Sequence, residues 1–273
     1  MKRLWYVAYG TNLSRSLLSG VPAGRPTGFT PGDPIFAMRP NATRGAYAQH
    51  TRLPARYAAP VPAGLPLGDA AAIPLAGLTA LQALRGEADL RSGAHLLVYG
   101  GSGGVGHFAV QIGAALGGRV TAVTSGRNAE FVAGLGANRV VDYQREEPTK
   151  LGTRFDVVFD AVNKLPLRHA RRLLIPGGTA VTVRPFGDAL APDWLVWTRG
   201  GRGFHSVIAQ PDIGDLAMLA LWVAEGPLRP TIERRYPLVE AQDAHRRIET
   251  GRVRGKLLLI VDAELAAFLR AGG

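Results

Sequence analysis

The sequence predicts an α/β protein whose main feature is a doubly wound parallel sheet. From residue 95 onwards, short and almost wholly apolar runs alternate with stretches of helical character. Such runs are typical of strands that helices cover on both faces, and a glycine-rich turn joins the first strand to the first helix. The expected strands are His95–Tyr99, Arg119–Thr124, Arg139–Asp142, Phe155–Ala161 and Thr179–Val183, and the helices between them are Val105–Leu116, Ala129–Leu135 and Leu165–Leu174.

The regions on either side of this sheet have a different character. Residues 20–68 contain many prolines and glycines, which predicts turns and short strands, with candidates at Ile35–Met38 and Gly45–Leu53. Residues Asp69–Arg85 are rich in alanine and leucine and predict a helix that Pro74 interrupts. After the sheet, the pattern predicts helices at Asp212–Glu225 and Leu238–Thr250 and a last strand at Lys256–Val261.

Composition restricts the kinds of site that this chain can carry. Of the 273 residues, 47% are hydrophobic and 19% are charged, which is ordinary for a globular protein. The sequence has no cysteine, so it forms neither disulfides nor zinc sites built on thiolates. The net charge of +11 favours anionic partners such as phosphorylated cofactors, and a coding bias towards arginine is the alternative explanation. Because the arginines are scattered, we expect no nucleic-acid interface.

The sequence gives no sign of a membrane protein. No run approaches the ~18 apolar residues that a bilayer-spanning helix needs. The apolar stretch after Met1-Lys2-Arg3 is short and lacks a clear cleavage site, so we expect no secretory signal. A cytoplasmic location is the resulting expectation.

The strongest local signal is a glycine-rich loop after the first strand of the sheet. Gly101, Gly103 and Gly106 fit the spacing G-x-G-x-x-G, with an apolar strand before them and an apolar helix after them. A pyrophosphate must approach the backbone N–H groups at a helix N-terminus, where side chains would block it. Together with Gly104 and Val105, these glycines predict a dinucleotide site of the Rossmann type. A glycine-rich turn without a ligand is the alternative.

The residues after the second strand favour NADPH over NADH. A site for NAD usually carries an acidic residue about 20 residues beyond the loop, where it binds the ribose hydroxyls. Here the second strand is followed by Ser125, Arg127 and Asn128, and no carboxylate occurs before Glu130. These side chains can donate hydrogen bonds to a 2′-phosphate, which a carboxylate would repel. We therefore predict NADPH as the cofactor, the alternative being that Arg127 is a solvated residue at the start of a helix.

Several stretches match one family in their order and spacing. They are Gly45–Gln49, Pro74–Ala80, Gly101–Gly106, Val140–Tyr143 and Arg254–Lys256. With these stretches, residues from about 29 to 262 resemble the medium-chain dehydrogenase/reductase superfamily, in its zinc-free quinone oxidoreductase branch. Zinc-dependent members of that superfamily use cysteines, so the resemblance implies hydride transfer without a metal. The six histidines show no ligand spacing and are interpreted as structural or surface residues.

The resemblance also implies further contacts with the cofactor. Thr79 would lie near the nicotinamide, and Tyr143 would lie against the adenosine end. Asn163 and Val183 would line the cofactor cleft, and Lys256 would close on the cofactor. The alternatives are that Thr79 bonds to the backbone of its own helix and that Tyr143 is an ordinary half-buried aromatic residue.

The resemblance is incomplete at the N-terminus. Family members carry a GroES-like catalytic domain before the cofactor domain, and here a truncated, β-rich GroES-like region is expected. The segment Trp5–Ser14 instead resembles the opening strand and loop of gamma-glutamyl cyclotransferase-like proteins. The expected organisation is an atypical segment at 1–28, the partial GroES-like domain at 29–85, the NADP(H)-binding domain at 86–215, and helices and a strand that complete both domains at 216–273.

Three functions are compatible with these observations. The first is zinc-independent, NADPH-dependent reduction of a small molecule, either a quinone or an α,β-unsaturated carbonyl. No proton donor is identified. Tyr47 is the tyrosine of the partial GroES-like region that is expected to lie nearest to the site of hydride transfer. The others are a non-redox biosynthetic step, such as cyclisation or isomerisation, and NADPH binding without catalysis. We also expect a homodimer that pairs edge strands of the cofactor domains, with Thr179–Phe186 and the following loop to Val207 as the candidate edge.

Overall fold

A computed structural model of the chain describes residues 5–7, 29, 33–39, 47, 51, 53–183 and 203–261. The chain divides into two compact units. One contains Met1–Leu78 and Gln210–Gly273, and the other contains Thr79–Ala209. The second unit spans nearly the same residues as the expected cofactor domain at 86–215, whose functional limits stay a prediction.

Short strands come first along the chain, and strands and helices alternate afterwards. The strands are β1 (Trp5–Val7), β2 (Ile35–Ala37), β3 (Ala58–Pro60), β4 (His95–Tyr99), β5 (Arg119–Thr124), β6 (Arg139–Asp142), β7 (Phe155–Asp160), β8 (Leu174–Thr182), β9 (Phe204–Ser206), β10 (Ile232–Pro237) and β11 (Lys256–Ile260). The α-helices are α1 (Leu67–Ala70), α2 (Pro74–Leu81), α3 (Gly106–Ala115), α4 (Ala129–Ala133), α5 (Leu167–Leu173), α6 (Ile213–Glu225) and α7 (Ala241–Glu249). A π-helical segment, Gln82–Glu87, continues α2, and 3-10 helices lie at Ala55–Tyr57, Gly126–Asn128, Pro148–Lys150 and Leu238–Glu240.

The unit Thr79–Ala209 is built on a six-stranded sheet with the order β6-β5-β4-β7-β8-β9. All neighbouring strands in it are parallel. The chain starts in the middle of the sheet and winds outwards in both directions, which confirms the predicted doubly wound fold. In the central strand β4, Leu96, Leu97 and Val98 are fully buried, as expected for a strand that is covered on both faces.

Helix α3 packs unusually close to this sheet because a glycine faces it. A Cβ atom on Gly113 would lie 2.5 Å from Leu96 Cδ2 and 3.1 Å from Val120 Cγ2. The other face of the sheet carries a cluster of buried residues that includes Leu97, Val158 and Leu173, and Tyr99 packs against it. The core therefore packs α3 closely against one face of the sheet, and the loops that bear the predicted site follow the carboxyl ends of these buried strands.

The other unit contains two small sheets. One has the order β1-β11-β10, with β10 and β11 parallel, and the other is the antiparallel pair of β2 and β3. Helix α6 begins at Asp212, whose side chain accepts a hydrogen bond from Asp215 N at 2.8 Å, and it ends at Gly226 in the left-handed region at φ 98°. Both ends are common helix-capping arrangements.

The structure differs from the expected elements in several places. Strands β3, β9 and β10 were not expected, and β10 escapes the pattern because its exposed Arg234 and Arg235 interrupt any apolar run. Strand β8 begins at Leu174 instead of Thr179. Of the expected strand Gly45–Leu53, the described residues Tyr47, Thr51 and Leu53 are not in a strand, and the rest lies outside the described residues.

The expected dimer edge also needs correction. Strand β9 pairs with β8 through Ala180 and Phe204, Val181 and His205, and Thr182 and Ser206. Thr179–Thr182 therefore lies in an inner strand, and β9, which falls within the expected loop to Val207, forms the edge of the sheet in its described part. Residues 184–186, the rest of the expected edge strand, lie outside the described residues.

Candidate functional site

The glycine-rich loop between β4 and α3 is folded so tightly that it requires glycine. Gly100 has φ 86°, in the left-handed region, and its carbonyl oxygen accepts a hydrogen bond from Gly103 N at 3.0 Å. A Cβ atom on Gly106 would lie 2.0 Å from that same carbonyl oxygen, and one on Gly101 would lie 2.9 Å from the Ala122 side chain. The loop can therefore bring its backbone close to a ligand, and Gly100 is a required glycine that the sequence motif did not include.

The loop leads directly into the N-terminus of α3. Residues 102–105 are partly exposed, whereas Gly106 and the following turn are buried. The first turn of α3 contains no acidic residue. Backbone N–H groups at a helix start lack partners within the helix, and the helix dipole makes this end attractive to anions. The arrangement fits a pyrophosphate group.

A hydrogen-bonded cluster joins the glycine-rich loop to the end of β5. The Thr124 hydroxyl and the Asn128 amide nitrogen lie 2.9 and 3.1 Å from Ser102 Oγ, and both donate to it. The same amide nitrogen lies 3.5 Å from Ser125 Oγ. Sequence reasoning did not identify Ser102 or Thr124, because neither belongs to the glycine spacing. Ser125 and Asn128 are buried, so they shape the loop, whereas the Arg127 side chain is exposed.

The loop after β6 lies beside the end of β5. Tyr143 N donates to Thr124 O at 3.1 Å, and the Tyr143 ring is 53% exposed. The ring is therefore half-buried, which is compatible with contact to a cofactor and with the alternative of an ordinary half-buried aromatic residue. It leaves a flat apolar surface next to the Ser125–Asn128 turn, where an adenosine would be expected.

The loop after β7 is organised by a buried carboxylate that sequence reasoning missed. Asp160 Oδ1 accepts from Val162 N at 3.1 Å, and Oδ2 accepts from Leu165 N at 2.8 Å. Within this turn Asn163 has φ 55°, and it is exposed. Burial raises the pKa of the Asp160 carboxyl, and the surrounding backbone N–H groups oppose this shift. An aspartate at the end of an apolar strand, just before a polar turn, is the signal that could have identified it.

Most of the predicted cofactor residues lie along one edge of the six-stranded sheet. Because all its strands are parallel, the carboxyl ends of β4, β5, β6, β7 and β8 lie at the same edge. Val183 N donates to Asp160 O at 3.3 Å, which places Val183 beside the turn of Asn163. Ligands of doubly wound sheets bind at this edge, where the strand order reverses. The edge residues are Gly101, Gly103, Gly104, Val105, Gly106, Ser125, Arg127, Asn128, Tyr143, Asn163 and Val183.

The two remaining predicted residues are both buried. Thr79 lies in α2 and is 7% exposed. Lys256 begins β11 in the other unit and is 5% exposed. Burial lowers the pKa of the Lys256 ammonium to about 8. Among the residues that the structure describes, no side chain forms a hydrogen bond or ion pair with this ammonium. A buried ammonium with no counter-charge among the described residues favours an anionic ligand.

Tyr47 makes a side-chain contact within the unit that contains it. Its hydroxyl lies 2.8 Å from His245 Nε2. Partial burial raises the pKa of the Tyr47 hydroxyl. The remaining polar groups do not form a metal centre: in the described parts of the chain, no three His, Asp or Glu residues come together as ligands would. No helix among the described residues combines the length and apolar character that a membrane crossing requires.

Comparisons with known proteins agree on one family. Residues 135–259 match the family model described as zinc-binding dehydrogenase. The chain is 31% identical, over 244 residues, to the chloroplast envelope quinone oxidoreductase homolog of Arabidopsis thaliana, covering 85% of this chain and 73% of that protein. It is 28% identical, over 249 residues, to the trans-enoyl reductase pgmF of Aspergillus terreus, covering 85% of this chain and 70% of that one.

Solved structures give the same result. The quinone oxidoreductase from Coxiella burnetii superposes with a TM-score of 0.74 at 30% identity, covering 86% of this chain and 74% of that one. The similarity of Trp5–Ser14 to gamma-glutamyl cyclotransferase-like proteins gets no support from these relatives. It falls mostly outside the described residues.

Proposed function

Because this chain is an oxidoreductase of the medium-chain dehydrogenase/reductase superfamily, in its quinone oxidoreductase-like branch, and has the nicotinamide cofactor of that family, we propose that the cofactor is NADPH. We propose further that the enzyme reduces a quinone or an α,β-unsaturated carbonyl without zinc. The single observation that carries this proposal is the glycine-rich loop, whose Gly106 approaches the Gly100 carbonyl so closely that a side chain is excluded. Such a loop is suited to a dinucleotide pyrophosphate at the start of α3.

The proposal of NADPH rests on the residues after β5. Arg127 is exposed in the turn that follows the strand, and its guanidinium suits a phosphate group. Tyr143 and the buried Ser125 border the same turn. Thr79, Asn163, Val183 and Lys256 are proposed as further cofactor contacts, and the buried ammonium of Lys256 suits an anionic ligand.

The residues do not fit a zinc centre. The sequence has no cysteine, and the described residues contain no group of three other ligands. We therefore assign the chemistry to the organic cofactor and no step to a metal.

The proposed substrate class follows from what the reaction needs. Bound NADPH supplies two electrons and one proton as a hydride. The electron-poor double bond of a quinone or an enone can accept this hydride. A second proton, from water, completes the reduction. Two of the relatives are named as a quinone oxidoreductase homolog and as a trans-enoyl reductase, and both names refer to acceptors of this kind. The backbone around the strand ends has to position the cofactor and exclude water.

A steady-state assay tests this proposal. Purified protein is mixed with NADPH and, in turn, a quinone, an enone and an enoyl thioester, while NADPH absorbance and product are both measured. We expect one mole of NADPH to be consumed for each mole of reduced product with at least one acceptor. A substrate converted without NADPH consumption would favour the non-redox alternative. Tight binding without turnover of any acceptor would favour a binding protein.

We propose a homodimer that pairs the β9 strands of two chains. In the described part of the sheet, β9 is the edge strand, and an exposed edge offers unpaired backbone groups to a second copy. Light scattering should give a mass of twice the 29.0 kDa of one chain. A cytoplasmic location stays a prediction, because one relative is named for the chloroplast envelope.

A further inference from the structure

A carboxylate from a neighbouring strand lies against the turn that should receive the adenosine end of the cofactor. Asp142 is the last residue of β6, and it is paired in register with Thr124, the last residue of β5. A Cβ atom on Gly126 would lie 2.4 Å from Asp142 Oδ2, so the carboxylate touches the backbone of the turn directly. The absence of a carboxylate before Glu130 along the chain therefore does not leave the turn free of negative charge.

The Asp142 carboxylate is held in this position by its own loop. Its Oδ1 accepts a hydrogen bond from Gln144 N at 3.0 Å, and the side chain is only 17% exposed. Its ion pair with Arg145 is loose: Arg145 Nε lies 3.8 Å from Oδ2, and the Arg145 side chain is 89% exposed. Exposed ion pairs at this distance contribute little energy, so Arg145 only weakly screens the negative charge of Asp142.

We infer that Asp142 is a specificity-determining residue. Its negative charge reduces the factor by which the enzyme prefers NADPH over NADH. The inference rests on the proposed function, in which the adenosine ribose lies at the Ser125–Asn128 turn. NADPH carries a 2′-phosphate at this position, whereas NADH carries a hydroxyl. A fixed carboxylate beside Gly126 therefore repels the phosphate of NADPH and does not repel the hydroxyl of NADH. Arg127 attracts the phosphate and Asp142 repels it, so the preference of the enzyme for NADPH is set by the difference between the two effects.

The size of the effect follows from Coulomb's law. For two unit charges about 4 Å apart and screened as in bulk water, the repulsion is about 1 kcal/mol, which corresponds to roughly three- to tenfold in affinity. Salt screens such an interaction, so its contribution decreases as ionic strength rises.

The test is a titration of wild type and Asp142→Asn with NADPH and with NADH, followed by cofactor fluorescence. Asparagine has the same size and keeps an oxygen that can accept from Gln144 N, but it removes the charge. We expect the ratio of NADPH affinity to NADH affinity to rise roughly three- to tenfold, with NADH affinity nearly unchanged. The gain should decrease at high salt. Asp142→Ser, a second uncharged variant, should change the ratio in the same direction.

The control variant is Asp89→Asn, which removes the same charge before β4, at the opposite edge of the sheet. Asp89 is exposed and has φ 48°, a conformation that asparagine tolerates well. The ratio of NADPH affinity to NADH affinity in Asp89→Asn should equal that of the wild-type protein. Binding of both cofactors with an unchanged or lower ratio in both Asp142 variants overturns the inference and leaves the proposed function standing. If the wild-type protein binds neither NADPH nor NADH, the proposed function is overturned, and the inference with it.

Discussion

The carbonyl oxygen of Gly100 lies 2.0 Å from the position that a Cβ atom on Gly106 would occupy. The two residues are neighbours across the glycine-rich loop, and neither can move without disturbing β4 or α3. This contact explains why the last glycine of the motif is required even before any ligand is considered. It also makes the loop the most sensitive place at which to test the cofactor site.

Gly106→Ala should therefore abolish cofactor binding by distorting the loop. A misplacement of about 1 Å can cost roughly 100-fold in catalytic rate, and we expect a loss of similar size in NADPH affinity, because the backbone N–H groups that would bind the pyrophosphate are displaced. The control is Gly86→Ala, because a Cβ atom at Gly86 would meet nothing within 4 Å. If Gly106→Ala bound NADPH as well as Gly86→Ala, the loop would not be the pyrophosphate site.

Reversing the charge of Arg127 should discriminate between the two cofactors. Arg127→Glu replaces a donor to the 2′-phosphate with a repelling group, so NADPH affinity should fall roughly 10- to 100-fold and NADH affinity less than about threefold. Arg119→Glu makes the same charge change at the exposed amino end of β5 and should affect neither. An equal loss of both cofactors in Arg127→Glu would contradict the assignment of NADPH.

Removing the Asp160 carboxylate should destabilise the loop after β7. Asp160→Ala leaves the N–H groups of Val162 and Leu165 without their acceptor. We expect the free energy of unfolding, measured in urea, to fall by about 2–4 kcal/mol. Asp156→Ala is the comparison, because Asp156 accepts from one backbone donor, His95 N, at 2.8 Å. It should lose about 1 kcal/mol. Similar losses for the two variants would show that the turn of Asn163 does not depend on Asp160.

Lys256 should make stability depend on pH in the alkaline range. Its pKa is about 8 in the folded protein and 10.5 as a free side chain, so below pH 8 the folded state carries a charge that burial disfavours. As pH rises from 8 to 10.5, the folded protein releases this proton before the unfolded chain does, and stability increases. The penalty at neutral pH is about 3 kcal/mol.

The measurement is urea unfolding of wild type and Lys256→Met between pH 7 and pH 10. Methionine fills nearly the same volume without the charge, so the variant should be the more stable at pH 7, with a difference that decreases towards pH 10. Lys150→Met, at an exposed lysine paired with Glu147, should behave as wild type. A difference between wild type and Lys256→Met that does not change with pH would show that Lys256 is uncharged or screened in the folded protein.

Local signals were enough to predict the centre of the sheet. The order of strand, glycine-rich turn and apolar helix at His95–Ala115 fixes a βαβ start, because each part has a pattern of its own. The parallel strands that follow are buried on both faces and read as apolar runs. The short strand β9 and the charged strand β10 could not be predicted, because their pairing depends on neighbours that are distant in sequence.

The candidate site was predictable in part for the same reason. The glycines and Arg127 belong to contiguous motifs, whereas the contact between Asp142 and Gly126 arises when β6 pairs with β5. The acceptor role of Ser102 likewise requires Thr124 and Asn128 to meet it in space. Contacts between strand ends depend on the register of the sheet, which the sequence does not state.

The most direct test of the cofactor site is a fluorescence titration of the purified wild-type protein with NADPH and with NADH. We expect both cofactors to bind saturably at the loop that contains Gly106, and we expect NADPH to bind more tightly than NADH. Binding of neither cofactor, or tighter binding of NADH than of NADPH, would contradict it.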